Sequence, residues 1–232
     1  MSEQTERAYD KVLAYIREEI RKGNLRRGER LPPERDLADL LGISRNSVRE
    51  ALRTMSMMGF ISSVHGAGNF VTCDLEKNLS ESLRLMLMLG ETNFLQVSQL
   101  RRGLEAETAR LAAGRILPSQ LAQLEALVAQ MREEPDPLKA SRYDQEFHRM
   151  LCEAAGNRLI RAMFSAMLTT VNAFISTMYT RIVSEEEPRR MLHDAHQEVV
   201  DALRERDEGA AIRAIWHHFD IVNAAIEQEE QA

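Results

Sequence analysis

The sequence predicts a mainly α-helical protein built from two modules, on three observations. Helix formers dominate 232 residues that hold only 11 Gly and 6 Pro, so few positions interrupt a helix. Apolar residues recur at helical spacing along most of the chain, and β-capable runs are confined to FISSV and NFVT. Charge is unevenly placed, with 12 Lys+Arg against 11 Asp+Glu up to Asp74 and 18 against 25 beyond it. A near-neutral front joined to an acidic back marks two modules with different partners. The expected organisation is a first module over 1–74, a linker over 75–79 within the polar stretch DLEKNLS, and a helical module over 80–232.

Hydrophobic content of 44% and charged content of 28% describe a soluble globular chain, and 5% aromatic leaves few stacking platforms. Cys73 and Cys152 are too few for a disulfide framework and fit a reducing cytoplasm. The segment MSEQTERAYDKVLAYI is charged and amphipathic, without an apolar signal core. The longest apolar-rich run, LRLMLMLG at 83–90, is far too short to span a bilayer. The expectation is a cytoplasmic protein with no membrane partner.

In the first module, residues 8–22 read as a helix with Val12, Leu13, Ile16 and Ile20 on one face and Gly23 as its C-cap. After the loop NLRRGERL, Pro33 stands at the first-turn position of a short helix, ERDLADLL, ending at Gly42. Ser44 caps a third helix running to about Met58, closed by Gly59. Two helices joined by a tight glycine turn form a helix-turn-helix. FISSV, the turn HGAG and NFVT then supply a small β-hairpin, completing the parts of a winged helix.

The third helix carries a division of labour. Val48, Ala51, Leu52 and Met55 fall on one stripe, while Arg45, Arg49 and Arg53 form a ridge beside it, with Asn46 and Ser47 near its start. A recognition helix docks by the stripe and enters the major groove by the ridge. Arg pairs bidentately with guanine and Asn with adenine, and serine hydroxyls or helix N-terminal amides hold phosphate. The bland alternative pairs these arginines with Glu50 and solvent; the helix-turn-helix-hairpin order favours DNA.

LPPERDLADLLGISRNSVREALRTMSMMGFISSVHGAGNFV resembles the DNA-binding domain of GntR-type bacterial transcription regulators. The resemblance implies that Arg35 joins Arg45 and Arg49 at a DNA operator, with Ser44, Asn46 and Ser47 lining the same edge. It also implies that the wing tip, His65 and Gly66, reaches into the minor groove. Asn69 stands where many relatives have threonine.

The second module reads as helical segments over roughly 80–90, 93–115, 118–133, 137–155, 157–180, 185–206 and 208–229, punctuated by Pro118, Pro135, Pro137, GN at 156–157 and DEG at 207–209. This is the pattern of an antiparallel helical bundle. Polar residues on its apolar faces carry the chemistry. Asp144 and His148 share a face with Leu151 and Ala155; His196 lies with Leu192, Val199 and Leu203, and His193 near the edge of that stripe. His218 falls among Ala211, Ile215, Val222 and Ala225, whereas His217 points away. The turn at Asp207 is 11 residues from both His196 and His218. In an antiparallel hairpin the two imidazoles reach the same height, about 16 Å from the turn. Asp144 and His148 add an i, i+4 pair from another helix. Each histidine alone is satisfied by ordinary core hydrogen bonds. Three of them with a carboxylate favour a shared divalent cation such as zinc, nickel or manganese, with coordination positions open for water or a ligand. Cys152, one turn beyond His148, could compete as a ligand but better suits a small buried hydrophobe. Arg101 lies among Val97, Leu104 and Thr108, so it needs an anion: Glu105 one turn on, or the carboxylate of a small bound effector.

RRGLEAETARLAA, DQEFHRMLCEAAGN and HQEVVDAL with RDEGAAIRAIWHHF resemble the ligand-sensing FCD domain of the FadR-like branch of those regulators. The resemblance implies metal ligands at Asp144, His148, His196 and His218. It also implies a small organic acid of the lactate, pyruvate, glycolate or sugar-acid class as effector, since acyl-CoA-binding relatives lack this metal set. The resulting expectation is a non-enzymatic homodimer that reads palindromic double-stranded DNA under effector control. The alternatives are a metal-dependent enzyme with a DNA-binding module and a purely metal-responsive repressor.

Overall fold

A computed structural model describes residues 3–72 and 75–230, with side chains over 8–72 and 76–229. Cys73 and Asp74 lie outside the described residues. The chain divides into two compact units between Asn78 and Leu79.

The first unit holds α1 (Glu3–Arg21), α2 (Glu34–Leu41), α3 (Arg45–Met57), β1 (Ile61–Val64) and β2 (Gly68–Val71). The expected helix at 8–22 begins earlier, at Glu3, because the polar stretch EQTER forms helix well without adding to the apolar stripe. Val12 and Ile16 from α1 meet Leu37 of α2, Val48, Ala51, Leu52 and Met55 of α3, and Ile61 and Val71 of the hairpin in one core. Ile20, expected on the same face, is 47% exposed and takes no part in the core. Pro33 caps α2 from outside at ψ 150° rather than forming its first turn, and its carbonyl accepts from Leu37 N at 3.0 Å. Ser44 caps α3, its hydroxyl accepting from Ser47 N at 3.0 Å. The hairpin pairs Ile61 with Val71 through to Val64 with Gly68. An isolated antiparallel bridge between Arg30 and Phe70 adds a backbone segment that hydrophobic patterning does not reveal.

After α4 (Leu75–Met88), which runs across the boundary between the units, the second unit is a bundle of α5 (Phe94–Ala113), α6 (Pro118–Glu133), α7 (Pro137–Ala154), α8 (Arg158–Val183), α9 (Glu186–Glu205) and α10 (Glu208–Glu230). The expected linker over 75–79 is the opening of α4, since Leu, Glu and Lys extend a helix as readily as they fill a linker and no Gly or Pro stops it. The α10 helix packs most extensively on α5 and α9, and α6 on α7. Phe147, Leu151, Val199, Leu203, Ile215 and Phe219 sit at the centre of the main core. The longest apolar segment is α8, not the run at 83–90. Its 26 residues, with mean hydropathy 1.4 in the most apolar window, are long and apolar enough by length and composition to cross a membrane. Here α8 turns Phe164, Met167, Val171, Met178 and Ile182 into the bundle.

The turn between α2 and α3 depends on Gly42, which holds φ +61° and donates its N–H to Ala38 O. Gly42→Ala is expected to cost about 1 kcal/mol through left-handed strain, and Gly42→Asn less. Urea midpoints of the two variants check this; equal stability of the alanine variant and wild type removes the argument.

Candidate metal centre and nucleic-acid interface

Three helices aim four polar side chains at one buried point. Asp144 and His148 come one turn apart from α7, His196 from α9 and His218 from α10, with relative exposures of 5%, 1%, 0% and 3%. The turn that pairs α9 with α10 is fixed by its ends. Arg206 takes the left-handed conformation at φ 58°, and Asp207 Oδ1 accepts from Ala210 N at 2.8 Å. His196 and His218 then meet with ring centroids 4.6 Å apart, and His148 lies 4.8 Å from His218 and 5.5 Å from His196. One ligand atom from each of the four residues lies within 4.8 Å of the others.

The outer hydrogen bonds of two rings fix which nitrogen faces inward. His196 Nδ1–H donates to Leu192 O at 2.8 Å, and His148 Nδ1 lies 2.5 Å from Glu105 Oε2. With the proton on Nδ1, each Nε2 presents a lone pair to the centre. His148 Nε2, His196 Nε2 and both ring nitrogens of His218 have no hydrogen-bond partner. Asp144 Oδ1 approaches His196 Nε2 to 3.1 Å without hydrogen-bond alignment, and His148 Nε2 to 3.8 Å. Acceptors converging in a buried core need a cation among them. A proton suits the site poorly: burial, reinforced by His196, His148 and Arg101, holds His218 well below the usual imidazole range. The donor set of three imidazoles and one carboxylate therefore fits a divalent transition metal.

Glu105 is the participant whose role at the centre the sequence reading missed. It is fully buried and joins Arg101 to His148, accepting from Arg101 Nε at 3.0 Å while its other oxygen holds the imidazole. A carboxylate behind a metal-facing histidine orients the ring and raises its basicity. The signal was its place on the buried stripe of α5 with Ala109 and Ala112, where a charge needs two partners. Of the two anions weighed for Arg101, Glu105 is present. The guanidinium also stacks 5.2 Å from Phe219 and borders a cavity shared with Asp144, His148 and His218. That cavity has a water-accessible volume of about 40 Å³ and is mostly apolar, with Phe94 stacked on Phe174 at 3.8 Å in its wall. Cys152 stands outside the four-residue group and packs with Ile160 and Phe164; burial pushes its thiol well above the usual range. His217 faces outward against Glu198 at 2.9 Å. His193 is buried beside the Tyr179 hydroxyl at 3.4 Å.

On the first unit the stripe and ridge of α3 separate as the periodicity requires. Val48, Ala51, Leu52 and Met55 are buried; Arg45, Arg49 and Arg53 are exposed, as is Asn46. Arg49 Nε pairs not with Glu50 but with Glu34 of α2 at 3.2 Å, which sets the ridge beside the first turn of α2, where Arg35 is exposed next to Asp36. His65 and Gly66 occupy the exposed hairpin turn, with Gly66 at φ +75°.

Two family models match the chain: bacterial regulatory proteins of the gntR family over residues 8–71, and the FCD domain over residues 96–221. The chain belongs to the GntR family and carries an FCD domain. A protein of Escherichia coli (strain K12) named for regulation of an L-lactate dehydrogenase operon is 29% identical over 97% of this chain and 90% of its own length. The transcriptional repressor NanR of Citrobacter rodentium (strain ICC168) is 30% identical over 88% of this chain and 80% of its own. A solved GntR structure from Streptococcus agalactiae superposes with a TM-score of 0.64 at 27% identity, covering 95% of this chain and 99% of that one. This GntR chain is thus a DNA-binding transcription regulator, and its relatives are regulators rather than enzymes.

The buried imidazoles give the FCD bundle a pH signature. Burial, with His196, Arg132 and Arg189, lowers His193 from 6.5 to about 4, and His218 falls in the same direction. Below pH 6.5 the unfolded chain takes up protons that the folded chain refuses, so this stabilisation is present above 6.5 and is lost as pH falls toward 4. Chelator-treated protein is expected to show a urea midpoint that declines across that window, less steeply in His193→Gln. A flat midpoint in the wild type contradicts the assignment.

Proposed function

We propose that this GntR regulator acts in the cytoplasm as a homodimer on a palindromic operator. In this reading its DNA affinity is set by a small carboxylate held beside a divalent metal in the FCD bundle. The observation that carries the sensing half is the convergence of unpartnered His148, His196 and His218 nitrogens on Asp144 in the buried centre of the bundle. Asp144, His148, His196 and His218 hold the ion, and Glu105 orients His148 from behind. When bound, zinc, nickel or manganese supplies a Lewis-acidic centre to which an oxygen of an organic acid can be attracted. Arg101 adds positive charge at the border of the same cavity. The cavity gathers its polar groups, Arg101, Asp144, His148 and His218, at one end of an otherwise apolar lining, which suits a small acid of the lactate, pyruvate, glycolate or sugar-acid class with its carboxylate at that end. The Escherichia coli relative, named for regulation of an L-lactate dehydrogenase operon, accords with that class.

The DNA half rests on the exposed ridge. Arg45 and Arg49, with Arg35, supply base-directed guanidinium groups, Asn46 an adenine-reading amide, and Ser44 and Ser47 short polar contacts at the N-terminus of α3. His65 and Gly66 serve the minor groove. One recognition helix reads few base pairs, so a two-fold dimer is needed for operator-level specificity. Control requires that effector and metal favour one arrangement of the paired DNA-binding units over another.

Elemental analysis of native protein is expected to find stoichiometric metal, absent from His196→Ala. In metal-loaded protein, the right acid at about a hundredfold excess over its Kd is expected to raise Tm by roughly 5–10 °C. Metal without any carboxylate response would leave a metal-responsive repressor as the better account; no metal in native protein removes the sensing proposal. Arg49→Ala is expected to weaken operator binding by at least about tenfold at unchanged Tm. Undiminished operator preference in that variant rejects the docking.

A further inference from the structure

An open cleft separates the wing from the first turn of α2. Its floor is Arg30 to Pro33, and its walls carry Glu34 on one side and His65, Gly66 and Asn69 on the other. Backbone contacts tie the floor to the wing. Leu31 N donates to Asn69 O at 2.8 Å, Val71 N donates to Glu29 O at 2.9 Å, and Arg30 bridges Phe70 between them. The position of Arg30 is therefore coupled to that of the hairpin. Its side chain runs along Gly68: a Cβ built on that glycine would stand 2.8 Å from Arg30 Nε and 3.1 Å from Nη2. Gly68, at φ +109°, leaves the space the guanidinium occupies. Arg30 is exposed and forms no ion pair among the described residues. The carboxylate in the cleft wall, Glu34, is partly neutralised by Arg49 at 3.2 Å.

A domain that puts α3 in the major groove and the wing tip in the adjoining minor groove straddles the phosphate strand dividing them. The cleft adjoins the wing on one side and, through Glu34 and its partner Arg49, the ridge of α3 on the other, so it is the part of the unit placed to meet this strand. We propose that Arg30 binds a backbone phosphate there, as a sequence-independent positioning contact. Gly68 keeps the guanidinium in place by leaving it room. The inference rests on the docking given under Proposed function, but assigns a residue and a ligand atom class that docking does not require. A guanidinium at the floor of the cleft meets the sugar-phosphate chain before any base edge, so its contribution should be blind to sequence.

The test uses full-length Arg30→Gln and Arg30→Lys with two labelled duplexes of equal length. One is an operator selected from a random pool by the wild-type protein, and the other is its scrambled sequence. Fluorescence anisotropy is read over a salt series. Arg30→Gln is expected to weaken both duplexes by a similar factor, up to about tenfold, and to reduce the slope of log K against log salt by about 1 per subunit engaged; Arg30→Lys keeps the slope. The slope is read on folded protein, confirmed by circular dichroism, so a modest stability loss does not mask it. An unchanged slope in Arg30→Gln overturns the inference, as does a loss confined to the selected operator, which would make Arg30 a base reader. Failure of the docking itself has a different signature: Arg49→Ala would then retain operator preference whatever Arg30 does.

Discussion

The convergence of lone pairs on one buried point is the constraint on which the second unit depends. His148 and His196 each spend their Nδ1 proton on an outer acceptor, Glu105 and the Leu192 carbonyl, and so present Nε2 acceptors toward Asp144. Leaving such groups unpartnered in a core costs on the order of 1–3 kcal/mol each. The helices α7, α9 and α10 must hold these groups within a few ångströms of one another, and the left-handed turn at Arg206 sets the register that does so for His196 and His218. A bundle chosen for apolar packing alone would place Leu or Phe there and avoid the cost. The polar centre therefore trades stability for a cluster of donors that apolar packing would not supply.

Around that centre the charges are layered. Glu105 is deeply buried yet held below the ordinary carboxylate range: burial opposes ionisation, but His148 and Arg101 outweigh it. Arg101, Glu105 and His148 form a chain from the cavity border to the core, so a charge placed beside Arg101 would perturb the carboxylate that holds the His148 ring. This coupling between cavity and centre is a physical route by which occupancy of one alters the other.

The first unit works by the opposite arrangement. Its polar groups are outside, its core is a single apolar cluster, and its net charge is close to neutral. DNA affinity then rests on where the guanidinium groups stand rather than on how many there are. The Arg49–Glu34 pair illustrates this: it fixes where the guanidinium stands, while an exposed ion pair is worth little and can exchange partners.

Much of this was legible from the chain alone. Helical periodicity located α2, α3 and α5 through α10, because apolar spacing and Gly or Pro punctuation are local signals. The same spacing put Asp144, His148, His196 and His218 on inward faces, and equal distance from Asp207 paired two of them. Other features needed tertiary structure. The exposure of Ile20 depends on what packs nearby, not on its place in the apolar stripe. Glu34 as the partner of Arg49, Glu105 as the support of His148, and the Arg30 bridge to the wing join residues distant in sequence. No pattern of spacing within one helix encodes which side chain of another will face it. The sequence by itself determined the helices, their buried faces and the family; only the packing of those helices decided which charges meet, because ion pairs and hydrogen bonds are set by distances of a few ångströms that periodicity does not measure.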